Sequence, residues 1–357
     1  METTTTTVDE IARVIGVHGT APARGWLRYL VARRMKRAAA KARSKRETGT
    51  FDGATPDTHA RRAIRQACIK AALSGTLSGA ATTGAVVATA ETEGAAGPVA
   101  LPLAVVAVGA EMAARTVFHI DLACELAEVF DVPVDSADVA RLLSVAFGSS
   151  AARDADDLGQ SSIATITVDR DSLLEEAAHS LVGESVLRNV LPFLGIVSSA
   201  VTNVVVTSRI GRRLRHAFRY EHEMSAALRA AKEPCASCLD LVVEGLWFVF
   251  TADGRLTVEE TLCLAERLEE LDPSTRRGVM ARFVADEADW LRRLEGVPAE
   301  AREKFMDVLE VAAALDKALA LPEEKLLRRV GDVFGRTFQP ERVSQMIEQL
   351  EQTGVLS

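Results

Sequence analysis

The residues whose types and spacing most clearly favour chemistry are carboxylates around a predicted turn. Asp253 and Gly254 follow an apolar segment at 247–250, and Glu259 and Glu260 begin the next predicted helix. Carboxylates gathered at a turn can hold Ca²⁺ or a similar hard cation, although the 12-residue ligand spacing of an EF-hand is missing. The same residues also suit helix capping, because negative charge in a first helical turn complements the helix dipole. Both interpretations are open.

A degraded copy of this segment follows 63 residues later. Asp316 and Glu323 occupy the positions equivalent to Asp253 and Glu260, and Lys317 replaces the glycine. We therefore predict an internal repeat of two helix–turn–helix units. The predicted ligands of a divalent, Ca²⁺-like cation are the carboxylates Asp253, Glu259, Glu260, Asp316 and Glu323.

A second candidate is the Cys-x-x-Cys formed by Cys235 and Cys238 at a predicted helix start. A helix N-terminus lowers a thiol pKa, so one interpretation is a reactive redox pair, and the alternative is a structural role. No second cysteine pair or histidine pair completes a zinc site. We expect all five cysteines to be reduced, as is usual in a cytosol. The sequence contains no nucleophile elbow, phosphate loop or dinucleotide fingerprint, so we expect no enzymatic activity.

The elements that position these groups are predicted to be helices. Helical patterns cover residues 171–188, 211–231, 235–250, 257–270, 273–294, 299–315, 323–335 and 340–352, and Asp131-Val-Pro breaks an earlier one. Hydrophobic residues make up 48% of the chain but aromatic residues only 5%, so the cores are built from Ala, Val and Leu, which suits close helix packing. Charge is segregated: residues 1–70 carry 15 Lys/Arg and 6 Asp/Glu, whereas residues 235–357 carry 15 and 24. Such asymmetry favours an anionic partner for the basic end.

Residues 24–46 are predicted to form a basic helix without any acidic residue. Helices that combine Lys/Arg with Trp, Tyr and Leu commonly lie on anionic membranes. Nucleic acid is the competing polyanion and ranks below lipid. A solvated helix, or an arm packed on the protein's own acidic domain, is an open alternative. The predicted lipid-binding residues are Arg24, Trp26, Arg28, Arg33, Arg34, Lys36, Arg37, Lys41 and Arg43.

Three uncharged stretches, Ala71–Ala90, Gly94–Ala110 and Asn189–Ser208, approach the length of a membrane span of about 20 residues. They are rich in small residues, and the second contains Pro98 and Pro102. Small residues permit close helix contact both in membranes and in soluble bundles. Burial within a helical bundle and insertion into a bilayer are therefore alternatives.

We predict an all-α fold of two helical modules. Residues 1–57 form a flexible N-terminus, a basic amphipathic arm and a linker. Residues 58–233 form an apolar domain of small-residue helices. Residues 234–357 form an acidic helical bundle that contains the internal repeat. The first residues are polar and acidic, unlike a secretory signal.

Residues 60–230 resemble the EcsC family. The resemblance rests on segments in a characteristic order: Gly75 to Gly84, Gly94-Ala-Ala-Gly-Pro, Arg115 through Phe130 with Asp131-Val-Pro, Leu191-Pro-Phe-Leu-Gly, Asn203, and Arg209 to Phe218. Val204 stands where the pattern has an aromatic residue. The resemblance implies a bacterial, membrane-linked protein, with a connection to an ABC transporter locus for protein secretion, and implies no defined activity.

Residues 235–352 resemble a TerB-type module, the acidic helical bundle of tellurite-resistance systems, through the segment Thr251-Ala-Asp-Gly-Arg-Leu-Thr-Val-Glu-Glu260. This resemblance strengthens the expectation of a cation site.

We expect a non-enzymatic, membrane-associated interaction or stress-response protein, cytoplasmic and peripheral to the inner face of the cell membrane. Its N-terminal part would bind anionic lipid or a membrane protein, and its acidic module a cation or a protein partner. The alternatives are a soluble carrier or sensor of an apolar ligand and a cryptic hydrolase or thiol enzyme.

Overall fold

The computed structural model describes residues 26–49, 53–91, 115–134, 195–254, 256–283 and 287–356, without the side chains of residues 26–33, 74–91, 195–200 and 258. These residues are 81% helical and include no strand, which confirms the all-α prediction. The uncharged stretch Gly94–Ala110 and the predicted helix at 171–188 lie outside the described residues.

The chain divides into two compact units. The first contains the described residues up to Arg215, except Thr55–Asp57. The second contains Thr55–Asp57 and the residues from His216 onward. This division differs from the predicted boundary at residues 233 and 234, and the predicted modules remain a prediction.

The first unit contains α1 (Trp26–Glu47), α2 (Pro56–Glu91), α3 (115–129) and the N-terminal part of α4 (Gly195–Lys232). α1 confirms the predicted basic helix. After α3, Asp131 adopts a left-handed φ of 56°, and the Val132 amide donates a hydrogen bond to the Ala127 carbonyl at 2.9 Å. This bond closes the helix end, so the predicted break at Asp131 is confirmed.

Small residues let these helices pack closely. Ala38 and Ala42 of α1 and Ala67 of α2 are buried. A Cβ atom at Gly211 of α4 would lie 2.8 Å from Ile64 Cγ1, closer than real Cβ contacts. Gly211 therefore permits α4 to approach α2. Among the described residues, none of the helices combines the length and hydrophobicity needed to cross a membrane.

The described residues of the second unit form the C-terminal part of α4, a 3₁₀ turn (Ala236–Cys238) and seven α-helices. These are α5 (Leu239–Phe250), α6 (Val258–Glu270), α7 (Pro273–Arg282), α8 (Glu287–Leu294), α9 (Ala299–Leu315), α10 (Leu321–Phe334) and α11 (Pro340–Gln352). α5 and α9 pack against each other at the centre of the unit. A Cβ atom at Gly245 of α5 would lie 2.8 Å from the Trp290 ring and 3.0 Å from Leu309 Cδ2. Gly245 thus allows α5 to contact α8 and α9 closely.

The prediction of a single helix over residues 273–294 is wrong. α7 ends at Arg282 and α8 begins at Glu287. The Trp247 indole N–H donates to the Phe283 carbonyl at 2.9 Å, and the two rings stack with centroids 4.6 Å apart. These contacts with Trp247 hold Phe283 at the position where α7 ends. The helices predicted at 257–270, 299–315, 323–335 and 340–352 are confirmed, with ends displaced by at most two residues.

Candidate carboxylate site in the second unit

The first predicted acidic turn joins α5 to α6. Gly254 has a φ of 80°, in the left-handed region that glycine favours. α6 begins with a capping box. The Glu260 amide donates to Thr257 Oγ1 at 3.3 Å, and the Thr257 amide donates to Glu260 Oε2 at 2.5 Å. The capping interpretation of Glu260 is confirmed.

The second turn joins α9 to α10 with equivalent geometry. Lys317 stands at the position of Gly254 and has a φ of 67°, which costs a residue with a Cβ atom about 1–2 kcal/mol. The Ala320 amide donates to Glu323 Oε2 at 2.7 Å, so Glu323 caps α10 as Glu260 caps α6. Ala320 has no hydroxyl, so the reciprocal bond of the capping box is missing here.

The two turns bring their carboxylates together. Burial, and then the charge of Asp316, raise the pKa of Glu260 to about 9. Burial raises the pKa of Glu323 to about 7, and the charges of Asp316 and Asp253 act in the same direction. The pKa of Asp316 is raised by burial and then by the charges of Asp253 and Glu259. We call these five residues, Asp253, Glu259, Glu260, Asp316 and Glu323, the acidic cluster.

The acidic cluster extends from solvent into the core of the unit. Asp253 is exposed, Glu259 and Asp316 are half-buried, and Glu260 and Glu323 are buried. With a pKa of about 9, Glu260 holds a proton at neutral pH, and its side chain lowers the pKa of Asp316 against the larger effect of burial. The proton on Glu260 reduces the repulsion between neighbouring carboxylates in a poorly solvated place.

Tyr220 of α4 belongs to the same environment, and the sequence analysis missed it. Its side chain is only 2% exposed, and its hydroxyl has no hydrogen-bond partner among the described residues. Burial raises its pKa well above the usual value, and the charges of Cys263, Glu260 and Asp316 add to this effect. No sequence signal connects Tyr220 to turns more than 30 residues downstream.

Within the described part of the chain, no group of three or more His, Cys, Asp or Glu side chains is arranged to hold a metal ion. The helix caps engage part of the acidic cluster, because one carboxyl oxygen of Glu260 and one of Glu323 each accept a hydrogen bond from a backbone amide. Each cap uses Oε2 and leaves Oε1 for other partners. Metal binding therefore stays a prediction.

The predicted lipid-binding arm packs on α3. Arg34 makes a two-point ion pair with Asp121, with N–O distances of 2.9 and 2.8 Å. Lys45 Nζ lies 2.6 Å from Glu125 Oε1, and Arg43 Nε lies 3.7 Å from Glu128 Oε1. The arm thus pairs with carboxylates of the protein itself, but these lie on α3 and not in the acidic domain that the alternative to lipid binding named.

The other predicted lipid-binding residues are either exposed on α1 or lie outside the part of the chain that the structure describes. Lys36, Arg37 and Lys41 are exposed on α1. The side chains of Trp26, Arg28 and Arg33, and the whole of Arg24, lie outside the described residues.

The expectation of reduced thiols is wrong for Cys235 and Cys238, which form a disulfide. The 3₁₀ turn brings their Cα atoms to 5.4 Å, within the range that a disulfide requires. The Cys238 amide donates to the Cys235 carbonyl at 3.1 Å, which closes that turn. A redox function of the pair remains a prediction. The cysteines Cys68, Cys124 and Cys263 are free thiols, and two of them are buried.

A polar seam that the sequence analysis missed connects α4 with α3 and with α2. His119 Nε2 is 3.2 Å from Thr207 Oγ1, and the Asn203 side-chain amide donates to the Ala71 carbonyl at 3.4 Å. Burial, and then the charge of Arg115, lower the pKa of His119 to about 3. His119 is therefore neutral at physiological pH and fixes helix register. The sequence signal for this polar seam was the presence of polar residues four positions apart on a buried helix face.

No family model, curated protein or solved structure matches this chain. The resemblances to the EcsC family and to TerB-type modules therefore remain predictions.

Proposed function

We propose that this chain is a non-enzymatic, membrane-associated interaction protein. Its second unit binds a divalent, Ca²⁺-like cation at the acidic cluster and presents its acidic surface to a protein partner. Its first unit meets anionic lipid at the inner face of the cell membrane. The observation that supports the cation proposal is that burial, together with the charges of neighbouring carboxylates from two equivalent turns, raises three of their pKa values.

The physical reason is that a cation can replace the proton on Glu260. A buried carboxyl group with a pKa of about 9 stays protonated for lack of a nearby counter-charge. A hard divalent cation supplies that charge and prefers oxygen ligands. Metal binding to such a group displaces its proton.

Capping does not exclude this role. Glu260 and Glu323 each use Oε2 for the helix cap, and the charge of Asp316 raises the pKa of both groups, so Asp316 lies close to each of them. Asp253 and Glu259 lie at the solvent side, where a hydrated ion would enter. The unpartnered Tyr220 hydroxyl adds a neutral oxygen near the cluster.

Calorimetric titration of the full chain with CaCl₂, in parallel with MgCl₂, tests the proposal. We expect Asp316→Asn to weaken Ca²⁺ binding at least tenfold, because Asp316 is the residue that interacts with both turns. Asp332→Asn is the matched control, since Asp332 is exposed on α10. An absence of saturable Ca²⁺ binding at millimolar concentration would refute the cation proposal, and so would equal affinities of the two variants.

The resemblances support the same assignment. The TerB-like segment contains Asp253, Glu259 and Glu260, and the EcsC-like segments suggest a bacterial membrane. A stress-response role of the tellurite-resistance type is part of the proposal, and sensitivity of a deletion strain to tellurite, with and without complementation by Asp316→Asn, tests it. Sensitivity unchanged by deletion would remove that role.

A further inference from the structure

Large apolar side chains are exposed at one place on the first unit. Five such side chains are exposed among the described residues. Ile69 and Leu73 of α2 are 56% and 63% exposed, and Val201 and Val205 of α4 are 56% and 41% exposed. The fifth, Leu321, is 62% exposed in the second unit. Four of five on two helices indicates a patch rather than a scatter of single residues.

The contacts between α2 and α4 place these four side chains at the same level. The Cys68 thiol donates to the Val204 carbonyl at 3.7 Å, and Asn203 donates to the Ala71 carbonyl. Further along, Gly211 packs on Ile64. The numbering rises on α2 as it falls on α4, so the helices are antiparallel here. Ile69, Leu73, Val201 and Val205 form what we call the apolar tip.

Exposed arginines lie next to the apolar tip on both helices. Arg62 and Arg65 precede Ile69 on α2, and Arg209 and Arg212 follow Val205 on α4. Because the helices are antiparallel, the four arginines also share one level. The charge of Arg212 lowers the pKa of the Cys68 thiol, opposing the larger effect of burial, which places it near α2. These four residues, Arg62, Arg65, Arg209 and Arg212, form what we call the basic collar.

The spacing and the sign of charge fit an anionic bilayer. At 1.5 Å per residue, Arg65 lies about 6 Å from Ile69 and about 12 Å from Leu73 along the helix axis. A helix that lies in the plane of the membrane interface buries its apolar face about 5–10 Å deep, and basic residues one or two turns away on the same helix can reach the headgroups. Residues 58–90 and 195–220 contain no Asp or Glu, so these segments carry no side chain that repels lipid phosphate. Lys70, exposed at the tip, can extend its aliphatic stem and reach the headgroups.

We propose that the apolar tip and the basic collar together form a docking surface for an anionic lipid bilayer. The inference rests on the membrane half of the proposed function and moves the lipid contact from α1 to α2 and α4. It agrees with the pairing of Arg34 and Lys45 with carboxylates of α3, because α1 charges engaged within the unit contribute less to a membrane.

Flotation of the full chain with vesicles of phosphatidylcholine alone, and with vesicles that also contain the anionic lipid phosphatidylglycerol, tests the surface. We expect the wild type to float with the anionic vesicles. The double variant Ile69→Glu, Val205→Glu should lose at least tenfold in partitioning. Each of Arg65→Gln and Arg209→Gln should lose about fivefold, on anionic vesicles only. All these positions are exposed, and circular dichroism verifies that helicity is retained.

Two controls separate the outcomes. Leu321→Glu makes the same change at an equally exposed apolar residue of the second unit and should leave flotation unchanged. The double variant Lys36→Gln, Lys41→Gln removes exposed charge from α1 and should also have little effect on flotation.

Failure of the wild-type protein to float would refute the proposed membrane function itself. Flotation of the tip variant equal to wild type, or loss only in the α1 variant, would overturn the docking surface while the membrane function stands. Dimerisation of the wild type abolished by the tip variant, without lipid binding, would also overturn it.

Discussion

Replacing Glu260 by Gln should remove most of the pH dependence of stability that the second unit shows between pH 7 and pH 9. A carboxyl group whose folded-state pKa is raised stabilises the fold fully below its unfolded pKa. That stabilisation is lost as pH rises toward the folded value. For Glu260 the loss extends from about pH 4.5 to about pH 9. Gln keeps the shape, can accept from the Thr257 amide through its oxygen, and can donate to Asp316 through its amide.

The size of the effect follows from one retained proton. Each pH unit between the two pKa values removes about 1.4 kcal/mol of unfolding free energy. Wild-type protein should therefore lose about 3 kcal/mol between pH 6 and pH 8 from Glu260 alone. The raised pKa values of Glu221, Glu223 and Glu323, each about 7, and that of Asp316 add to this loss with the same sign. Because the contributions of those three glutamates end near pH 7, Glu260→Gln should lose little further stability above pH 7.

Urea unfolding followed by tryptophan fluorescence is the suitable assay. Trp247 and Trp290 lie in the second unit, so a Trp26→Phe background restricts the signal to that unit. Glu351→Gln, on the exposed side of α11, makes the same chemical change outside the cluster and should follow wild type. Equal slopes of stability against pH for wild type and Glu260→Gln would refute the assignment of the retained proton.

Three further predictions concern other parts of the molecule. Lys317→Gly should stabilise the second unit by about 0.5–1 kcal/mol, because glycine tolerates a φ of 67°. Gly254→Ala should destabilise the unit by about 1 kcal/mol for the converse reason. Urea unfolding midpoints measure both changes, and changes of the opposite sign would contradict the turn geometry. Glu244→Ala should cost about 3–5 kcal/mol, because Glu244 is buried and bonds both Arg282 at 2.6 Å and Arg293, which would lose their partner; a loss below 1 kcal/mol in urea unfolding would refute this. The His119 ring signals should show no titration between pH 5 and pH 8 in NMR spectra, because burial lowers its pKa to about 3; a midpoint near 6.5 would show that the polar seam is open to water.

Much of the second unit could be predicted from local patterns. The spacing of apolar residues and the proline breaks gave most helices, and the 63-residue offset indicated that two equivalent turns exist. The offset could not show that the turns meet, because that depends on how α5 and α9 pack at Gly245. Tyr220 enters the site through the same packing, so no local signal could have identified it.

The first unit was harder to predict because its signals were ambiguous. A basic helix rich in Arg and Lys has the same sequence whether it faces lipid or the carboxylates of α3, and only the pairing of Arg34 with Asp121 distinguishes these outcomes locally. The exposed patch on α2 and α4 was hidden within uncharged stretches, since exposure of Leu73 or Val201 depends on which face the neighbouring helix covers. The break after Arg282 was missed because it depends on the long-range bond from Trp247.

Proton release on cation binding tests the central claim most directly. Titration of the protein with CaCl₂ at pH 7, in two buffers of different ionisation enthalpy, measures the protons released for each ion bound. We expect wild type to release about one proton, from Glu260, and Glu260→Gln to release none from that position. Binding of Ca²⁺ without proton release, or equal release from the two proteins, would contradict a carboxylate site in which a cation takes the place of the proton on Glu260.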